Sequence, residues 1–209
     1  MTLIDLIYVN NNNQFITFVL IFSSMPIPAF DKNLVLPAHL GDPRVPTDLS
    51  PYPVTTLELC QRFATSPERI GILTRYLQFR ADLLRHGLIN GFQWLDGSFL
   101  EDIEAAENRA PRDLDVVTIY YGYDIAFQMN LVAQFPEFGD PSLAKANYLL
   151  DHYPFDAASN PVMTVQASRY WIQLFSHNRN GVWKGMLQIN LNTPADDAQA
   201  LNHLQNVGP

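Results

Sequence analysis

Apolar positions along this chain change period several times, and each change marks an element. Between Ser66 and Gly87, Ile70, Leu73, Leu77 and Leu84 recur at helical spacing. Ser66 is a good cap, Pro67 suits the first helical position, Glu68 sits in the first turn, and Gly87 is the stop. Arg69, Arg75, Arg80 and Arg85 fall on the other faces and read as a solvated surface. Upstream, Thr55 or Thr56 caps a short helix that contains Leu57, Leu59 and Cys60. Two apolar runs predict strands: Gly91 to Leu95, and Asp113 to Tyr121, whose near-continuous Val116–Ile119 stretch suits a strand covered on both faces. The insert between them carries Glu101, Asp102, Glu104 and Glu107 and reads as a solvated acidic helix. Tyr123 to Phe135 reads as a helix and Asn147 to Tyr153 as a further strand. Pro161 to His177 reads as a helix whose broad apolar face, with Val162, Val165, Tyr170, Trp171, Leu174 and Phe175, should join the core. This order predicts an α+β fold: a short mixed β-sheet with helices packed mainly on one face.

The ends of the chain read differently. Residues 1–24 hold two apolar runs, Leu3 to Val9 and Phe15 to Phe22, around an Asn tract. Neither run is long enough to cross ~30 Å of hydrocarbon as a helix, and no Lys or Arg supplies the positive start of a signal peptide. The segment either adds a strand to the domain or is an extension upstream of a natural start at Met25. The domain then spans residues 25–191. It begins with a Pro-rich extended arm, in which Gly41-Asp42-Pro43 is a turn, and is followed by a polar tail, 192–209, expected to fray.

Charge and composition narrow the function classes. The net charge of −8 leaves no sequence-wide basic field for nucleic acid. A single cysteine, Cys60, excludes a disulfide framework and a cysteine zinc site, and suits a reducing cytosol. There is no P-loop and no Gly-x-Ser-x-Gly elbow, and the histidines lack metal-ligand spacing.

The candidate chemistry lies in Asp113-Leu114-Asp115. In a strand, residues two apart share a face, so these carboxylates stand ~7 Å apart at Cα and point the same way. Asp is depleted in strands, and like charges on one face repel unless a cation lies between them. A divalent metal such as Mg²⁺, held by one or two carboxylates and substrate phosphates, is the natural occupant. A short way upstream, Asp96-Gly97-Ser98 turns the chain at the end of the first strand.

A Gly-Ser turn after one strand and Asp-x-Asp on the next resembles the signature of the polymerase-beta-like nucleotidyltransferases. Ile27-Pro28-Ala29-Phe30, Leu36-Pro37, Leu95-Asp96-Gly97-Ser98-Phe99, Pro111-Arg112-Asp113-Leu114-Asp115-Val116-Val117 and Lys184-Gly185 narrow the resemblance to a family of small bacterial proteins of that superfamily. The resemblance runs from about Met25 to Leu191. It implies a catalytic, metal-binding triad of Asp113, Asp115 and a third carboxylate from an adjacent strand. Asp151 fits that place, with Asp156 as runner-up. His152 should point away from the site. The resemblance further implies that Gly97 and Ser98 seat the nucleotide phosphates, aided by a helix N-terminus. Lys184 either neutralises the triphosphate or is a surface residue.

The expected activity is transfer of a nucleoside monophosphate from an NTP to an acceptor, with two Mg²⁺ ions (or Mn²⁺) at the site. An RNA end, a protein hydroxyl and a small molecule remain open as acceptors, and a partner protein from a neighbouring gene is expected. The alternative is a catalytically silent nucleotide- or partner-binding module of a toxin–antitoxin or phage-defence system. In a third reading, Asp-x-Asp merely starts a strand.

Overall fold

The computed structural model describes residues 27–207; both readings of residues 1–24 lie outside them. Five strands form one mixed sheet in the order β1–β5–β2–β3–β4: β1 Tyr52–Pro53, β2 Gly91–Asp96, β3 Leu114–Tyr120, β4 Leu150–Asp156 and β5 Leu187–Asn190. β2 is antiparallel to both β3 and β5, whereas β3–β4 and β1–β5 are parallel. The helices are α1 Thr56–Phe63, α2 Pro67–Arg85, α3 Ile103–Glu107, α4 Ile125–Gln134, α5 Pro141–Tyr148, α6 Pro161–Phe175 and α7 Pro194–Val207. The class is α+β, as the pattern predicts. Among the described residues, no helix is long and apolar enough to cross a membrane.

The helix starts follow from local chemistry. Thr55 accepts from the Glu58 N–H while Glu58 reaches back to the Thr55 N–H, closing a capping box on α1. Ser66 caps α2, with Pro67 behind it. The main core lies on one sheet face, where Leu59, Leu73, Tyr76 and Phe79 meet Leu95, Val116 and Leu150. On the other face Trp94, Val117 and Ile119 pack against Phe175 and Trp171 of α6. Most helices therefore serve one face, and the second is only partly covered.

Four expectations need correction. The buried stripe of α2 runs through Ile72, Leu73, Tyr76, Leu77 and Leu83, leaving Leu84 exposed. Arg69 and Arg80 are not solvated but buried. Arg80 is tolerated there because its donors are used by Asp197, Gln93, Asn190 O and Thr193. The tail is ordered through Val207: α7 buries Ala200 and Leu204 and supplies Asp197 to Arg80. Its start carries Pro194 and an acidic first turn, a signal the polar composition masks. Finally, α6 buries only Phe175 and leaves Val162, Val165, Tyr170 and Leu174 exposed, because a single helix on an open sheet face is covered on one side only.

Candidate active site

Register alone brings three carboxylates into a row. Asp115 of β3 pairs with Asp96 across the antiparallel β2 and with Asp151 across the parallel β4. Alternation along each strand sends Leu95, Val116 and Leu150 into the main core and the aspartates to the opposite face, which Trp94, Val117 and Ile119 share. Asp113 precedes Asp115 by two positions and lines the same cleft. That cleft, about 300 Å³, is also lined by Gly97, Ser98 and Lys184, so all six residues singled out by sequence meet there. Asp156 does not: it lies at the far end of β4 and accepts from Gln128. His152 faces the core, bonded to Thr118, and burial pushes its pKa down to about 3.

Gly97 is required by geometry twice over. Its φ of +86° lies in the left-handed region, and a Cβ there would stand 2.5 Å from Asp115 Oδ2. The turn thus presses directly on the carboxylate row. Ser98 is half-buried at the cleft wall. The helix after it is a single 3₁₀ turn, Ser98–Leu100, too short to supply the helix N-terminus expected for phosphates.

Two buried cations hold this turn from behind. Lys184 Nζ lies 2.7 Å from Glu101 Oε1, 3.1 Å from Gly97 O and 3.1 Å from Asp96 Oδ1. The Asp96 contact is an ion pair and not a well-directed hydrogen bond. Lys184 is therefore neither a surface residue nor a free charge for a triphosphate, because it is buried and its ammonium is held by Glu101, Gly97 O and the Asp96 carboxylate beneath the turn. Arg69 donates to Phe99 O at 2.7 Å, to Glu101 O at 2.8 Å and to Glu104 through Nε and Nη2. The insert read as a solvated acidic helix thus anchors the turn through Glu101 and Glu104. Gly185 lets Lys184 reach this place, since a Cβ at Gly185 would overlap Pro37 O and crowd Tyr52.

The row is short of compensating charge. Burial, then the neighbouring Asp113 and Asp151, pushes Asp115 up to about 6. Burial pushes Asp96 up to about 7 against the pull of Lys184. Lys184 itself is raised: burial opposes its charge, but Asp96 and Glu101 outweigh burial. Lys145 of α5 sets its ammonium 2.7 Å from Asp113 Oδ2, a hydrogen bond that raises its pKa.

Oxygen donors of this kind suit Mg²⁺ or Mn²⁺ and not softer metals. With the side chains as they stand, no group of three or more His, Cys, Asp or Glu among the described residues is arranged to hold one ion. Lys145 supplies the cation beside Asp113 instead, from a half-exposed position that can swing to solvent. The carboxylate oxygens are of the donor class that a divalent cation takes.

Sequence reasoning passed over Asp96, Glu101 and Arg69. Asp96 reads as a turn residue until strand register places it beside Asp115. Arg69 reads as helix surface until the insert folds back on α2.

No curated protein and no solved structure matches this chain. The sequence profile of a family of unknown function, DUF6932, matches residues 28–190, and the chain belongs to that family.

Proposed function

We propose that the protein transfers a nucleoside monophosphate from an NTP to an acceptor hydroxyl. The observation that supports this most is the in-register row Asp96–Asp115–Asp151 with Asp113, set against the Gly97-Ser98 turn in one cleft. Asp113, Asp115 and Asp151 would hold Mg²⁺ or Mn²⁺, which neutralises triphosphate charge and lowers the pKa of an acceptor hydroxyl. Ser98 Oγ and the backbone beside Gly97 line the phosphate side of the cleft. Lys184 and Arg69 fix the turn so that its donors do not reorganise during reaction. The acceptor oxygen forms a bond to the α-phosphorus, the bond to the bridging oxygen breaks, and pyrophosphate leaves. Asp151, the outermost of the row, takes the acceptor proton. A cation held by Asp113 would take the place of the Lys145 ammonium beside that carboxylate.

Incubation of the protein with α-labelled NTPs, Mg²⁺ and cell extract tests this reading. Label should appear on one acceptor, and Asp113→Asn should abolish it. Equal labelling by both proteins would remove Asp113 from the reaction.

The Lys145–Asp113 ion pair favours a second reading, in which the site binds a nucleotide without turnover. Saturable NTP binding with no labelled product from any extract would establish that reading in place of the first.

A further inference from the structure

A second concavity, about 600 Å³, adjoins the acid cleft and shares Leu174, His177, Asn178 and Arg179 with it. It opens on the outer side of α6. Trp171 and Phe175 turn toward the sheet, whereas Arg169, Tyr170, Gln173 and Leu174 fall on another helix face. Tyr170 is 56% exposed and Leu174 49%, although both are large and apolar-bodied.

The chain carries 13 Lys and Arg against 21 Asp and Glu. Seven of those cations, Arg44, Arg69, Arg80, Arg85, Arg109, Lys145 and Lys184, form ion pairs with carboxylates. Among the described residues six form none, Lys32, Arg62, Arg75, Arg112, Arg169 and Arg179, and of these Arg169 and Arg179 line the second concavity. In an acidic protein, two uncommitted guanidinium groups beside an exposed aromatic ring make a local anion site with a stacking surface.

We infer that this groove binds the acceptor of the transfer reaction, and that the acceptor is the end of a single-stranded nucleic acid. Arg169 and Arg179 take successive phosphates, as guanidinium forks do. Tyr170 offers its face to a base, with Leu174 beside it, the pairing of charge and stacking that single strands use. His177 and Arg179 border both concavities, so a strand lying along α6 delivers its terminal hydroxyl toward Asp151. The inference rests on the transfer reading for the word acceptor, but binding is read without turnover.

The test is fluorescence anisotropy of the full chain with labelled single-stranded RNA and DNA oligonucleotides of about 10 nucleotides, within the usual site size. NTP affinity is measured separately with a fluorescent ATP analogue and Mn²⁺. An oligonucleotide should bind at low salt, and the tighter of the two identifies RNA or DNA as the source. The double variant Arg169→Gln/Arg179→Gln should weaken oligonucleotide binding about tenfold or more and flatten its salt dependence by about 0.7 per lost phosphate contact. Tyr170→Ala should weaken binding without changing the salt slope. Arg169→Gln alone and Tyr170→Ala, whose residues line only the second concavity, should leave ATP-analogue affinity unchanged. Absence of binding by either oligonucleotide, or equal binding by the double variant, overturns the groove's role. A double variant that loses the ATP analogue and keeps the oligonucleotide also overturns it, by assigning the arginines to the donor. An oligonucleotide bound as expected without nucleotide transfer would support the groove and count against the transfer reading alone.

Discussion

Asp151 stands directly across from Asp115 in the parallel pairing of β3 and β4. Like charges at such positions destabilise a sheet, and burial adds to the cost, so the pair is a liability to the fold. The Asp115 pKa is 3.8 ordinarily and about 6 in the fold. The native state therefore binds this proton more tightly, and the stabilisation it brings is present below pH ~4 and lost as pH rises through ~6. Asp115→Asn, without divalent metal, should then stabilise the protein at pH 7.5 by about 1–3 kcal/mol and change little at pH 3.5. Urea unfolding at the two pH values checks this. A loss of stability at pH 7.5 would mean that the row is not under electrostatic strain.

Lys184 carries the opposite expectation. It is 2% exposed and neutralises Asp96 and Glu101, themselves buried. Lys184→Met removes one partner from a buried cluster and should cost about 3–5 kcal/mol. Because the Gly97 carbonyl also loses its donor, nucleotide affinity should fall as well. Denaturant midpoints and NTP titrations of the same variant measure the two effects, and a variant as stable as wild type would refute the assigned role.

Gly97→Ala isolates the turn from its supports. The positive φ costs about 1–2 kcal/mol for an L-residue, and the added methyl must displace the Asp115 carboxylate. Metal and NTP affinity should therefore drop more than stability does. Comparison of ligand titrations with thermal unfolding separates the terms. Ligand affinities that follow the stability loss in proportion would show that the methyl acts only on folding.

The sequence disclosed elements whose signals are local. Ser66-Pro67-Glu68, the Thr55 box with Glu58 and the apolar run of β3 each fold as their neighbours dictate. Asp113 and Asp115 could be nominated because spacing within a strand fixes a face, and Asp151 because the resemblance implies a third carboxylate on an adjacent strand. What stayed hidden depends on long-range geometry. Asp96 joins the row only through β2–β3 register, and Arg69 finds its partners 30 and more residues away. Lys184 meets Glu101 across 83 positions. No window of local sequence encodes whether such a cation lies beneath a turn or in water. The α7 helix was missed for a different reason: its apolar contribution, Ala200 and Leu204, is too sparse to stand out against a polar segment.

The central claim is that the carboxylate row takes up divalent cations together with a nucleotide. Mn²⁺ titrated into the protein at pH 7.5 with a non-hydrolysable ATP analogue, free ion being followed by electron paramagnetic resonance, tests it most directly. Wild type should bind saturably, and Asp115→Asn and Asp151→Asn should each weaken binding about tenfold or more. Lowering the pH to 5 should weaken the wild type too, as Asp115 takes up its proton. Mn²⁺ binding that is absent, or the same in wild type and both variants at both pH values, would contradict the claim.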